Sequence, residues 1–325
     1  MRGLYLKSVP MKVGDIEILP VIDGMIVAQL PATKPFPDQE SVAWQEQHMF
    51  RPDGMIESTV GAFLVRVGER LVLVDAGAGQ ALAHGYAPPV IDVADDNDPF
   101  VALFRRRGAP REQIQHAADH FGRTEMVRGE LPASLERAGV RPDEVTDLIF
   151  THLHFDHIGW ASSDGGAFFP NATIRCAAAD LEHFLAGPDE EEIVSLVYCT
   201  PTAPQRLAPV LDRIETWDAD RTVLPGIDVR LTPGHTPGSS VVVISDGDER
   251  AMLLGDMIHC PLELMDDEFN LIVDVDQDLA NRVRAAYARE LEGSNIPVAA
   301  AHFPGLRFGR LLPAQGLRRW TFDAN

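Results

Sequence analysis

A chain of 325 residues, 45% of them hydrophobic, is long enough to bury one large core or two small ones. With 49 acidic side chains against 28 basic ones the net charge is −21, which excludes a binder of the nucleic-acid backbone, since that needs clustered Lys and Arg. No run approaches the roughly 20 apolar residues of a membrane span, none behind Arg2 and Lys7 is long enough for a secretory signal, and the three cysteines (Cys176, Cys199, Cys260) are odd in number without paired spacing, so no disulfide framework is expected.

These bounds predict a cytoplasmic protein without nucleic-acid or membrane partners, and metal-ligand candidates spread from 152 to 302, which must converge, predict one domain, 1–325. In chain order, the alternation through Ile16-Glu17-Ile18-Leu19-Pro20-Val21-Ile22 predicts an edge strand. Residues 31–59 carry Pro31, Pro35 and Pro37, with Trp44, Met49 and Phe50 among polar residues. An irregular excursion with a short helix is expected there. It is either a plain surface loop or a lid or dimer arm that lends Trp44 or Phe50 to a pocket. Ala62-Phe63-Leu64-Val65-Arg66-Val67 and Arg70-Leu71-Val72-Leu73-Val74 flank Gly68-Glu69 and predict a hairpin, which runs into Asp75-Ala76-Gly77-Ala78-Gly79. Residues 80–130 are weakly patterned, with Pro88, Pro89, an acidic stretch at 92–98 and the short basic run Arg105-Arg106-Arg107, and they read as an insertion near the mouth of a site. A helix closed by Gly139 is predicted over 131–139, strands over 145–150 and 173–177, and a helix over 179–185. Leu279, Val283, Tyr287 and Leu291 recur every four residues, the buried stripe of an amphipathic helix, with Tyr287 in the core.

The chemistry concentrates in Thr151-His152-Leu153-His154-Phe155-Asp156-His157-Ile158-Gly159-Trp160, where four metal-competent side chains fall within six residues. Imidazole and carboxylate are the ligands that zinc and its first-row neighbours prefer. In an extended segment His152 and His154 point the same way and can clasp one ion; after a turn, Asp156 and His157 can face a second. Three further candidates each follow a strand: His235 in the turn Thr232-Pro233-Gly234-His235-Thr236-Pro237-Gly238, Asp256 after Ala251-Met252-Leu253-Leu254-Gly255, and His302 after Ile296-Pro297-Val298-Ala299-Ala300-Ala301. His48, His84, His116, His120 and His183 carry no such signal. Ser134, Ser239 and Ser240 lack the strand–elbow–helix setting of a nucleophile.

His-x-His-x-Asp-His, then Gly-His-Thr-Pro-Gly, a Gly-Asp after a strand and a late His resemble the metallo-β-lactamase superfamily, over a span from about Val60 to His302. The resemblance implies an α/β fold, an αββα sandwich with a dinuclear metal site at one edge of the two sheets. Carried over position by position, it gives His152, His154 and His235 to one ion, Asp156, His157 and His302 to the other, and Asp256 as the bridge, with Asp75 as a support behind them. Two divalent ions are implied, zinc first, with Mn, Co or Fe admitted by the same ligands. A hydroxide shared between the ions would attack a carbonyl carbon or a phosphorus, and Asp156 could also pass a proton to the leaving group.

Asp256 stands where the β-lactamases generally place Ser or Cys, and the net charge suits none of the superfamily's nucleases. The His-Leu-His-Phe-Asp-His run resembles the N-acyl-homoserine lactonases. Those enzymes usually carry tyrosine three residues after the bridging Asp, where this chain has His259. Gly255-Asp256-Met257-Ile258-His259 and Ala301-His302-Phe303-Pro304-Gly305 resemble the methyl parathion hydrolase branch, which cleaves phosphotriesters. His259 is then a catalytic candidate in contact with substrate or leaving group, or else a loop histidine. Phe155, Trp160 and Phe303 are pocket candidates, with core packing as the competing role, and Cys260 is a small buried apolar residue. The implied activity is hydrolysis of a small neutral ester: a lactone or aryl ester, with phosphotriesters as a further substrate. Related lactonases and phosphotriesterases often pair, so 31–59 as a homodimer arm is part of the same expectation. The alternatives are a thioesterase resembling glyoxalase II, a persulfide dioxygenase with a single iron, and a metal-stabilised protein without turnover.

Overall fold

In the computed structural model, which describes residues 10–36, 49–106, 108–187, 189–313 and 318–323, strand alternation sorts the chain into four layers. The first half supplies β1 (Met11–Val13), β2 (Ile16–Ala28), β3 (Ile56–Val67), β4 (Arg70–Val74), β5 (Glu125–Val127), β6 (Asp147–Ile149), the small hairpin β7 (Ser162–Ser163) and β8 (Gly166–Ala167), then β9 (Thr173–Ala177) and β10 (Ile214–Trp217). One sheet runs β1-β2-β3-β4-β6-β9-β10, with β5 added on β2. The second half supplies β11 (Arg221–Leu224), β12 (Ile227–Leu231), β13 (Ser240–Asp246), β14 (Glu249–Leu253), β15 (Val298–Ala299), β16 (Gly309–Leu312) and β17 (Arg319–Phe322), which pair in chain order as the other sheet. Helices α1 (Pro99–Arg106), α2 (Arg111–Phe121), α3 (Leu131–Arg137), α4 (Phe155–Ile158), α5 (Ala178–Leu185), α6 (Asp189–Tyr198), α7 (Ala203–Leu207), α8 (Leu262–Met265) and α9 (Gln277–Leu291) complete it.

Successive side chains of a strand face opposite layers. Phe63, Val65, Val72 and Val74 meet Val229, Val242, Ile244 and Leu253 between the sheets. Leu64, Leu73 and Leu148 face outward onto Leu131, Leu135, Phe184 and Leu207, which come from α3, α5 and α7. Val241, Val243 and Met252 face the other way, onto Ala288 and Leu291 of α9. The result is the expected αββα sandwich.

Two local expectations change. β2 is not an edge strand: β1 covers residues 16–18 and β5 covers residues 25–27 on the side away from β3. Only the stretch between them is open, and Pro20 falls there, where a strand tolerates proline. On α9 the deepest positions are Ala280, Arg284, Ala288 and Leu291, while Val283 and Tyr287 flank the core. The apolar stripe marked the right face, but its centre is a buried arginine that hydropathy does not mark. Of 31–59, Trp44 lies outside the described residues, and Phe50 packs on Phe36 at 5.2 Å.

A buried carboxylate ties the sheet together at Asp147, which accepts from Arg175 Nη1 at 2.6 Å, Arg70 Nη1 at 3.0 Å and Thr146 Oγ1 at 2.7 Å. Burial pushes its carboxyl up, but Thr146, Arg175 and Arg70 together hold it below the ordinary value. A depressed folded-state value makes this stabilisation present above the unfolded carboxylate value near 4 and lost as the pH falls through the folded one. Asp147→Ala is therefore expected to cost about 2–3 kcal/mol, discounted from a fully buried pair because Arg70 is half exposed. The difference from wild type in urea midpoints should shrink below pH 4; a midpoint unchanged at pH 7 would remove this role.

Candidate metal centre

Six loops leave the two sheets at one edge and converge. β4 ends at Asp75, whose left-handed backbone (φ 63°) turns its carboxylate back under the site. There it accepts from the Thr151 amide (2.8 Å), the Thr151 hydroxyl (2.9 Å) and His157 Nδ1 (3.0 Å). β6 delivers Thr151, and the chain stays extended through His154 before α4 turns Asp156 and His157 toward the same point. Gly159 ends that turn because the 76–79 loop runs against it: a Cβ there would lie 2.1 Å from the backbone of Ala78 and Gly79. Asp180 clamps the loop after β6 to the loop after β12, accepting from Leu153 N (3.2 Å), Thr236 Oγ1 (3.0 Å) and Gly238 N (2.6 Å). Burial pushes its carboxyl up to about 6 against these hydrogen bonds. Asp256 follows β14 and His302 follows β15.

The seven expected ligand residues come together. His154 Nδ1 lies 3.0 Å from both His152 Nε2 and His235 Nε2. In a second group His302 Nε2 is 3.6 Å from Asp156 Oδ2, and His157 Nε2 is 4.0 Å from Asp156 Oδ1. Asp256 stands between the groups. Its Oδ2 is 2.9 Å from His302, 3.6 Å from His235 and 3.8 Å from His152, and its Oδ1 is 3.3 Å from His157. Partners behind the rings fix the tautomers, because a carboxylate or carbonyl only accepts. Asp75 takes the Nδ1 proton of His157, Asp274 that of His235 (3.1 Å) and Thr59 O that of His302 (3.1 Å), which turns each Nε2 inward.

Two observations fit this set to a pair of cations. His157 Nε2 and Asp256 Oδ1 are buried and face each other without a hydrogen bond, a cost a folded protein rarely leaves unmet. The three imidazole nitrogens of the first group stand about as far apart as ligands of one tetrahedral zinc, for which Zn–N bonds of about 2.0–2.1 Å place them roughly 3.3 Å apart. Burial also keeps His152, His154 and His235 below the ordinary imidazole value, His152 and His154 well below, so they present neutral rings. Burial acts on His157 and His302 too, but Asp256 and the neighbouring carboxylates outweigh it. His302 is pushed up to about 9 and His157 is raised well above its ordinary value.

A cavity of about 590 Å³ opens over the cluster. Asp156, His235, Asp256, His259 and His302 line its polar part, and Ile26, Leu30, Phe155, Val194, Tyr198 and Val273 give apolar walls. Phe155 stacks on Tyr198 at 4.7 Å. The 80–130 segment backs this wall through Tyr86, stacked on Tyr198, and through Met126, which packs with Ile26 and Phe155. His259 Nε2 is 3.6 Å from Asp256 Oδ2, and its Nδ1 is 3.4 Å from Glu263.

Two pocket candidates lie elsewhere. Trp160 turns inward below the cluster, packs on Phe168 and donates Nε1 to Asp23 at 2.9 Å. Phe303 is fully buried edge-on against Trp320, on the face opposite His302. Asp23, Glu263, Asp274, Arg284 and Tyr198 escaped the sequence reading, since each is a single residue outside any motif.

The family model described as metallo-beta-lactamase superfamily matches residues 57–294. An N-acyl homoserine lactonase of Bacillus cereus is 24% identical over 225 residues, 69% of this chain and 72% of the relative. A probable metallo-hydrolase of Mycobacterium tuberculosis is 24% identical over 261 residues, 75% of this chain and 74% of that one. Among solved structures, AidC, a dizinc quorum-quenching lactonase in complex with a product, superposes with a TM-score of 0.70 at 21% identity, covering 98% of both chains. The hydrolase AbOPH gives a TM-score of 0.68 at 23% identity, again with 98% of both chains covered. At such identities the structural likeness shows a shared fold.

Proposed function

The chain belongs to the metallo-beta-lactamase superfamily and is a metal-dependent hydrolase, and on that premise we propose that it opens small neutral lactones and cleaves aryl esters, with phosphotriesters as further substrates. One observation carries the reading: His154, Asp156, His235, Asp256 and His302 of the His/Asp cluster form the floor of a cavity with apolar walls whose lining, among the described residues, holds no lysine or arginine. Such a wall suits an acyl or aryl group and offers nothing to the carboxylates of a glutathione thioester.

His152, His154 and His235 would hold one divalent ion, Asp156, His157 and His302 the other, and Asp256 both; zinc is the first expectation. Such a pair supplies, when bound, hydroxide at neutral pH and polarisation of the electrophilic oxygen. The protein's own part is to place the ester. Ile26, Leu30, Val194 and Val273 exclude water and seat the apolar group, while the Phe155–Tyr198 stack bounds it. His259, at the position of the lactonases' tyrosine, presents Nε2 beside Asp256, where an imidazole can move a proton to or from an oxygen of the substrate. His259→Phe keeps the ring volume and removes that proton site. Its expected result is a fall in kcat of about 100-fold with both ions retained, and unchanged kcat would return His259 to a loop role.

His157 and His302 hold protons that a cation must displace, so binding releases them. With His302 at about 9, affinity should fall as the pH falls below that value, by roughly tenfold per unit for each proton displaced. Titration calorimetry of the ion-free protein in buffers of different ionisation enthalpy reads the release directly; none observed would place the ions elsewhere.

The deciding experiment is initial rates of the metal-loaded protein on an acyl-homoserine lactone, an alkyl γ-lactone, a p-nitrophenyl ester, methyl paraoxon and S-lactoylglutathione, with metal analysis. Lactone or aryl-ester turnover with two ions per chain supports the reading. Turnover of the thioester alone, or a single iron per chain, would replace it with a glutathione-linked or persulfide enzyme, and full loading without turnover would make the chain a binding protein.

A further inference from the structure

We propose that Arg284 is a positioning residue, one guanidinium that holds in register the three supports behind His235, Asp256 and His259. It stands at the middle of α9, 1% exposed, on a face otherwise lined by Ala280, Ala288 and Leu291. Its Nε donates to the Met257 carbonyl at 2.8 Å, in the turn that carries Asp256. Its Nη2 donates to both oxygens of Asp274 at 2.8 and 2.9 Å, and Asp274 takes the Nδ1 proton of His235. The same Nε lies 3.6 Å from Oε1 of Glu263. Glu263 is itself buried; its Oε2 accepts the His259 amide at 2.7 Å and lies 3.4 Å from His259 Nδ1.

Packing alone does not call for an arginine here. A buried ion pair is often matched or bettered in stability by an apolar residue of similar volume. What an apolar residue cannot do is orient two carboxylates and a carbonyl at once. Each of these supports touches a different member of the cluster, so a shift in any one would be felt at the others through a single rigid, planar group. The proposal rests on the reading that His235 and Asp256 hold metal and His259 faces the substrate. Its test uses cobalt without substrate, so an error about the substrate leaves the outcome readable.

Arg284→Lys keeps the charge and loses the fork. Cobalt affinity by chelator competition and the visible spectrum of the cobalt-loaded protein are measured for Arg284→Lys, Glu263→Gln, Asp274→Asn and the Glu263→Gln/Asp274→Asn double variant. The expected result is a 10–100-fold loss of cobalt affinity with an altered spectrum in folded Arg284→Lys. A weaker loss is expected in Glu263→Gln, which touches no metal-holding side chain, and the two carboxylate losses should combine less than additively. Should Arg284→Lys fail to fold, the carboxylate pair decides. Wild-type affinity and spectrum in Arg284→Lys, or strictly additive losses in the pair, overturn the proposal.

Discussion

Asp256→Ala is expected to lower hydrolysis of the proposed lactone and aryl-ester substrates by on the order of 10³-fold or more, the largest effect expected of any single change, and to reduce the metal content below the proposed two ions per chain. Asp256 is the carboxylate that reaches both halves of the cluster: one oxygen neighbours His302, His235 and His152, the other faces His157. Each histidine belongs to one half, so losing one leaves the other half complete. Contacts with His302, His157 and His152 hold the Asp256 carboxyl well below its usual range despite burial, so it stays charged. Removing it leaves His152, His154 and His235 with no carboxylate among them, and Asp156 as the one remaining cluster anion, beside His157 and His302. Asp256→Asn keeps the shape and loses the charge, and an intermediate loss is expected of it. Folding should be intact in both, because the turn is fixed by its backbone and by Arg284 on Met257. Metal analysis and kcat/KM on one preparation check this. Two ions retained with more than a tenth of wild-type turnover would deny Asp256 the bridging role.

Asp23→Ala destabilises the protein by about 3–5 kcal/mol without touching the cluster. Asp23 is fully buried, and four donors end on it: Ala78 N (2.8 Å), Gly129 N (3.2 Å), Leu131 N (2.8 Å) and Trp160 Nε1 (2.9 Å). Burial nevertheless leaves its carboxyl above the ordinary value, since desolvation outweighs the hydrogen bonds. Truncation leaves four donors without this acceptor. Gly77 presses so closely that an added Cβ would lie 2.6 Å from Asp23, which shows how tightly the 76–79 loop is seated. That loop backs Gly159 and the α4 turn, so looser metal binding should accompany the lower stability. A fall in Tm of roughly 6–10 °C is expected at about 2 °C per kcal/mol for a chain of this size. A Tm within 2 °C of wild type would show that water replaces the carboxylate. Asp23→Asn, with one acceptor oxygen and an amide nitrogen facing donors, should recover less than half.

The outcome at Trp160 and Phe303 shows where sequence reading stops. Both neighbour the cluster in the chain, and both are buried in the turns that leave it, Trp160 on Phe168 and Asp23 and Phe303 on Trp320. Tyr198 is far from the cluster in sequence, yet it lines the cavity and stacks on Phe155. Nothing near Tyr198 in the chain marks it, since α6 reaches the wall only through packing.

By itself the sequence determined the layers and marked the seven residues that cluster. Period-two hydropathy settles which residues of β3, β4 and β13 face which layer, and that preference is local, a property of a few consecutive side chains. The His152–His157 run is legible for the same reason: its spacing is fixed by covalent geometry, and so is the place of His235, Asp256 and His302 just past strands. Tertiary structure alone decided the supports. Asp23, Asp274, Glu263 and Arg284 are charged residues that hydropathy assigns to the surface, and the side chain of each is covered where a partner distant in the chain meets it. A buried charge is tolerated where its hydrogen bonds are met, and whether they are met depends on how the loops pack together, which no local pattern encodes.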